Sequence, residues 1–241
     1  MAHFERYLIT EDVQLLSRTD QFGELLVTGP DSAEKLSSLN IQSNTLGLLE
    51  HTITHRGDDS LVIRRVDLLG QPGCLLSVDR TRLLDLWQEL TASGIRPGGA
   101  EVFHAHRIES GFPLYGLDLT DDNLAQEAAR TQRAISYTKG CYLGQEPIAR
   151  IDALGHVNRE LRILRLNSTP SPEAGAKIRA EDGREIGTIT SSAMVPGEDR
   201  SVAMGYVRSS HAKPEIAVIV RADGREVPVT LFWQEQSTPN R

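Results

Sequence analysis

Residues 139–146 read Lys-Gly-Cys-Tyr-Leu-Gly-Gln-Glu, which gathers Lys139, Cys141, Tyr142, Gln145 and Glu146 around two glycines. In an extended segment, side chains two residues apart point to the same side. An ammonium so placed stabilises a thiolate and lowers the thiol pKa. Lys139 beside Cys141 would then make the thiol a nucleophile, a redox-sensitive group or a transient ligand for a metal or sulfur species. The competing reading is a small residue that merely fits a tight turn, since free cysteines are mostly buried and inert. Gly140 and Gly144 favour an irregular backbone here over a helix or strand interior.

Other reactive side chains give weaker signals. The second cysteine, Cys74, lies in the apolar run GCLLSV and reads as a buried, inert thiol. With no CxxC pair, neither a zinc knuckle nor a thioredoxin-type dithiol is expected. His104 and His106 alternate as a strand pair would, yet no third ligand accompanies them, so no metal site is expected. His51 and His55 are read the same way.

The charge pattern is uneven. Net charge is −7, which argues against a general nucleic-acid binder. Residues 130–165 nevertheless carry seven Arg or Lys against three acids, leaving the remainder at −11. From charge alone this stretch reads as a solvated face with scattered cations, the alternative being a local anionic ligand. With 241 residues and 39% hydrophobic content the chain can form one large or two modest cores. No run approaches the roughly 18 apolar residues of a membrane span, and MAHFERYLITED lacks the apolar core of a signal peptide, so a cytoplasmic location is expected.

These residues need elements to position them. GELLVTG (23–29), LLEHTITH (48–55), SLVIRRVDLL (60–69) and GCLLSVD read as strands, with RGDD as a turn. PDSAEKLSSL is a short helix capped by Asp31 or Ser32. RTRLLDLWQELTASG is the clearest helix: Asp79 caps it, Leu83, Leu84, Trp87 and Leu90 form its apolar stripe, and Gly94 stops it. EVFHAHRIES (101–110) reads as a returning strand. Two successive strand–helix–strand units would give a ferredoxin-like split arrangement. From about residue 160 the chain turns to short β-rich runs with Asp-Gly hairpin turns at 182–185 and 223–226, which implies a small antiparallel barrel.

Three stretches carry a resemblance: RIESGFPLYGLDLT (107–120), QEAARTQRAISYTKGCYLGQEPIARIDALGHVNREL (126–161) and EIGTITSSAMVPGEDRSVAMGYVR (185–208). In this order they resemble the YgfZ family of folate-binding proteins, relatives of the glycine-cleavage T-protein (aminomethyltransferase). KGCYLGQE fits the motif K-G-C-[YF]-x-G-Q-E of that branch. The resemblance implies an α+β fold, with ferredoxin-like folate-binding layers around a central channel over 1–159 and a C-terminal antiparallel β-barrel over 160–241. It implies tetrahydrofolate, in some cases polyglutamylated, as ligand. It also implies iron–sulfur enzymes, including tRNA-thiolating ones, or their assembly proteins as partners, with no direct nucleic-acid or membrane contact. The alternative is an aminomethyltransferase of a glycine-cleavage-like system.

Carried over residue by residue, Glu109 matches the family's glutamate at the pterin, whose adjacent N–H donors a carboxylate can accept. Tyr115 would pack against the pterin or cap the pocket wall. Tyr142 and Gln145 join the cofactor-binding set, with Gln145 and Glu146 holding the loop in shape. Arg150 would pair with the glutamate tail. Lys139 and Cys141 would be the chemically active pair. The T-protein pattern G-G-I-x-D-D-L-I, which carries its catalytic aspartate, is represented only by RGDDSLVI (56–63), with Asp58 or Asp59 as the equivalent.

Overall fold

A computed structural model describes residues 2–10, 12–167, 170–213, 217–222 and 225–232. The chain divides into two compact units, Met1–Pro97 and Gly98–Arg241. Among the described residues, no helix is long and apolar enough to cross a membrane.

The first unit opens with the single turn α1 (Ala2–Glu5), followed by β1 (Phe22–Thr28), α2 (Ser32–Ser38), β2 (His51–Arg56), β3 (Asp59–Val66), β4 (Gly73–Asp79) and α3 (Leu83–Ala92). The strands form an antiparallel sheet in the order β1-β4-β3-β2. Alternation sets its two faces. Leu61 and Ile63 of β3 are buried while Ser60 and Arg64 point outward. Leu76 of β4 stands opposite Leu25 on one side and Ile63 on the other, and Val27 opposite Cys74. Leu36 of α2 and Leu86 and Leu90 of α3 complete this core. A helix of seven residues is too short to persist alone, so α2 depends on burying Leu36. Cys74 is 1% exposed, the buried thiol expected of it.

Asp79 accepts the Thr81 N–H at 2.9 Å and so caps a 3₁₀ turn leading into α3. Gly94 ends the helix at φ +84°. The buried stripe differs from the expected one. It runs through Leu86 and Leu90, with Leu83 partly buried, while Leu84 and Trp87 are exposed. Leucine at both phases of the helical repeat leaves the direction of the apolar face ambiguous in sequence, and the sheet decides it.

The second unit comprises α4 (Ala100–Glu109), α5 (Thr131–Ala134), α6 (Gln145–Leu154) and strands β5 (Arg159–Leu166), β6 (Lys177–Arg179), β7 (Glu185–Met194), β8 (Ser201–Arg208), β9 (Ala217–Ala222) and β10 (Arg225–Phe232). The expected strand over 101–110 is a helix, α4. Its apolar residues look alternating, but the face that packs carries Ala105 and Ile108 together with a charged side chain, Arg107, at 0% exposure. A pattern that counts Arg as outward cannot find that face. His104 and His106 therefore lie on opposite sides of a helix rather than on one strand face.

The strands close into an antiparallel barrel in the order β10-β5-β8-β7-β6-β9. The Asp182–Gly183 turn joins β6 to β7, with Asp182 accepting the Arg184 N–H at 3.0 Å. Of the second Asp-Gly turn, Asp223 and Gly224 lie outside the described residues, but β9 and β10 pair on either side of it. The β7–β8 contact is tight. A Cβ on Gly187 would stand 2.2 Å from the Tyr206 carbonyl oxygen, and one on Gly205 2.5 Å from that of Thr188. Just beyond, the register slips between Ile189 and Ser191, a bulge that leaves Thr190 out of the pairing.

Candidate functional site

Arg107 organises the second unit. Its Nη1 donates to Asp118 Oδ2 at 2.6 Å and to the Phe112 carbonyl at 3.2 Å, its Nη2 to Ser191 Oγ at 2.7 Å, and its Nε to His104 Nδ1 at 3.2 Å. Asp118 is equally buried. Its Oδ2 also accepts the Leu114 N–H at 3.0 Å, its Oδ1 accepts from Thr190, and its carbonyl accepts the Tyr206 hydroxyl at 3.0 Å. The bulge in β7 is what turns Thr190 towards Asp118. Burying an unpaired charge is costly, and here the satisfied donors and acceptors offset that cost. The network ties α4 and the loop 112–119 to β7 and β8. Burial pushes the Tyr206 hydroxyl pKa up to about 12, with the nearby Glu127 charge acting in the same direction. Tyr206 therefore stays protonated as a donor.

This frame presents Glu109 and Tyr115. Glu109 ends α4 and accepts from Arg200 Nη1 at 2.8 Å, with 24% of its side chain exposed. Tyr115 is exposed and donates to Asp121 Oδ1 at 2.7 Å, an interaction that raises its pKa. Glu127 is buried. It accepts from Arg159 Nε at 3.0 Å and from the Leu124 N–H at 3.3 Å, anchoring the 120–128 loop to the start of β5.

The loop of interest leads into α6. Gly144 takes φ +85° at the helix start, a conformation that favours glycine. Gln145, Glu146 and Pro147 form the first turn, where proline's missing N–H costs nothing. Gln145 Oε1 accepts the Tyr142 N–H at 3.1 Å, which fixes the loop's exit. The Lys139 ammonium sits 4.5 Å from the centre of the Tyr142 ring. Cys141 is exposed. Among the described residues no hydrogen bond involves it. Arg150 is exposed on α6 with no ion-pair partner among the described residues.

The structure thus joins Lys139, Tyr142 and Gln145 in one loop, and places Glu109 on a helix end tied to the barrel. Asp59 belongs to the first unit, where it is paired with Arg82 at 2.8 Å, and Arg82 also binds Asp85 at 2.8 Å. They line a small pocket of about 80 Å³ with Arg56 and Glu89, themselves paired at 2.6 Å. Much of the cationic stretch is spent on structure. Arg130 donates to the Gly111 carbonyl at 2.8 Å, Arg159 holds Glu127, and the nearly buried Arg162 donates to the Ala212 carbonyl at 2.9 Å and pairs with Glu160. Burial lowers the Arg162 pKa. Sequence reasoning missed Arg107, Asp118 and Arg200. The first two sit inside RIESG and LYGLD, Arg107 on the packed face of α4 and Asp118 in the loop that follows it, and no local spacing marks them as partners.

Comparison with known proteins agrees with this architecture. Residues 1–139 match the GCVT N-terminal domain, and residues 159–234 the glycine cleavage T-protein C-terminal barrel domain. The chain belongs to the glycine cleavage T-protein family. Within that family it is 30% identical to an aminomethyltransferase of Saccharopolyspora erythraea over 221 residues, covering 88% of this chain and 59% of that protein. It is 33% identical to one of Streptomyces avermitilis over 208 residues, covering 82% and 55%. A solved structure, aminomethyltransferase T of the glycine cleavage system from Bartonella henselae, superposes with a TM-score of 0.74 at 22% identity, covering 87% of this chain and 58% of the other. That likeness establishes the fold. The chain spans about three fifths of the length of these T-protein relatives.

Proposed function

We propose that this T-protein family member binds tetrahydrofolate in support of iron–sulfur enzymes, with Cys141 and Lys139 as its reactive pair. The observation that carries the reading is an exposed thiol held in the glycine-framed KGCYLGQE loop, in a chain that matches both T-protein domains. Glu109, with one carboxylate oxygen engaged by Arg200, has the chemistry to accept pterin N–H groups. Tyr115, Tyr142 and Gln145 would complete the ligand surround. Exposed Arg150 would meet the glutamate or polyglutamate tail. The clients would be iron–sulfur proteins or their assembly factors, tRNA-thiolating enzymes among them, in the cytoplasm.

Calorimetric titration with tetrahydrofolate tests the first half, and absence of saturable binding sinks it. For the second half, Cys141→Ala in cells should lower iron–sulfur enzyme activity at unchanged protein level. Undiminished activity removes the thiol from the mechanism.

A second reading, aminomethyl transfer to tetrahydrofolate, is favoured by the names of the curated relatives. Its general acid–base step needs a carboxylate free to reach the reacting nitrogen. Asp59, one of the two candidates with Asp58, is instead ion-paired with Arg82. Ammonia release from an aminomethyl-loaded lipoylated carrier, dependent on tetrahydrofolate, would establish this reading over the first.

A further inference from the structure

Glu109 is the last residue of α4, where the helix dipole is negative and a carboxylate is poorly placed on stability grounds alone. Arg200 meets it there, donating from Nη1 to Glu109 Oε1 at 2.8 Å. The other edge of the same guanidinium is gripped by Glu198, Nε to Oε2 at 2.5 Å and Nη2 to Oε1 at 3.1 Å. The backbone of Arg200 is fixed too, since its carbonyl accepts the Val195 N–H at 3.0 Å across the β7–β8 turn. Glu109 Oε2, by contrast, makes no hydrogen bond with the described residues.

We infer that Arg200 is a positioning residue for Glu109, holding one carboxylate oxygen so that the other faces a ligand bearing adjacent N–H donors. This inference rests on the folate reading, in which the donors are the 2-amino and ring N–H groups of a pterin. A guanidinium clamped by Glu198 fixes the plane of the Glu109 carboxylate, and a fixed plane distinguishes a paired-donor edge from one lacking a donor. Arg200 itself touches protein, and acts on the ligand through Glu109.

The test compares tetrahydrofolate with its 2-desamino analogue by calorimetric titration of the full chain. The wild-type chain should prefer tetrahydrofolate by roughly tenfold or more, the loss of one hydrogen bond to a charged acceptor. Arg200→Gln should weaken tetrahydrofolate binding by about tenfold and reduce that preference, and Arg200→Lys should restore part of it. A merely structural Arg200 weakens both ligands alike, so an unchanged preference ratio overturns the inference while leaving the folate reading in place. The same holds if Glu109→Gln leaves the ratio intact. If the wild-type chain binds neither ligand, the folate reading fails and takes the inference with it. Should Arg200→Gln not fold, Glu198→Gln loosens the guanidinium from an exposed position and must lower the ratio. An unchanged ratio in that variant overturns the inference as well.

Discussion

Arg107 and Asp118 form an ion pair at 2.6 Å with both side chains fully buried. They are eleven residues apart, and the pair closes the loop 112–119 back onto α4 while Ser191 and Thr190 fasten both to the barrel. Neither charge can be removed alone without stranding the other.

Asp118→Ala should therefore destabilise the protein by about 3–5 kcal/mol, the usual cost of an uncompensated buried charge. Arg107→Met combined with Asp118→Leu should cost clearly less than the sum of the two single changes. Urea denaturation of the four proteins measures this coupling, and additive losses would contradict it.

His104 gives the fold an acid-sensitive contact. Burial lowers its pKa below the ordinary 6.5, and the Arg107 charge lowers it further, against the opposing pull of Asp118 and a backbone bond with Ser192. Its Nδ1 accepts from Arg107 Nε at 3.2 Å, so the ring must be neutral to serve. With the folded pKa depressed, the unfolded chain takes up the proton first as pH falls. Stability is then fully present above about 6.5 and lost on the way down towards the depressed folded value. Denaturation midpoints between pH 8 and pH 5 should drop more in the wild-type chain than in His104→Gln, and parallel curves would exclude His104 as the sensor.

The two cysteines should respond very differently to a thiol reagent. Cys141 is exposed and Cys74 is buried at 1% exposure. Under native conditions a disulfide reagent should modify one thiol quickly, and the second only after denaturant is added. Cys141→Ser should abolish the fast phase. Two fast equivalents would mean that the first unit opens under native conditions.

Gly140 and Gly144 frame the same loop but have different roles. Gly144 sits at φ +85° and Gly140 does not adopt a left-handed conformation, and a Cβ on either would meet nothing within 4 Å. Gly144→Ala should cost about 1–2 kcal/mol through backbone strain alone, whereas Gly140→Ala should be neutral or slightly stabilising. Thermal unfolding of the two variants checks this, and equal shifts would refute a special role for the α6 start.

Strands β1 and β4, helix α3 and the barrel were legible because each rests on local periodicity or an Asp-Gly turn. Helix α4 was not, because its packed face includes Arg107, whose partners lie as far away as Ser191. The glycine-framed turn at 139–146 was readable, including the role of Gln145 in shaping it, while the stacking of Lys139 on Tyr142 depends on how that turn folds. The grip of Arg200 on Glu109 spans 91 residues, and no spacing rule encodes it. Thr190 reaches Asp118 only because of a bulge, and a bulge depends on the strand opposite as much as on its own sequence.

The order in which the barrel strands pair has a consequence for biosynthesis. Within residues 1–97 every sheet partner is already present once β4 has been translated, so that unit can assemble while the ribosome is still at work. The second unit must wait, because β10 is the strand that joins β5 to β9. Until it emerges, β5 and β9 keep open edges, the state most exposed to misassociation. Chains arrested before β10 should bind chaperones and be cut by protease in the second unit while the first resists. Equal sensitivity of the two would argue against this sequence of events.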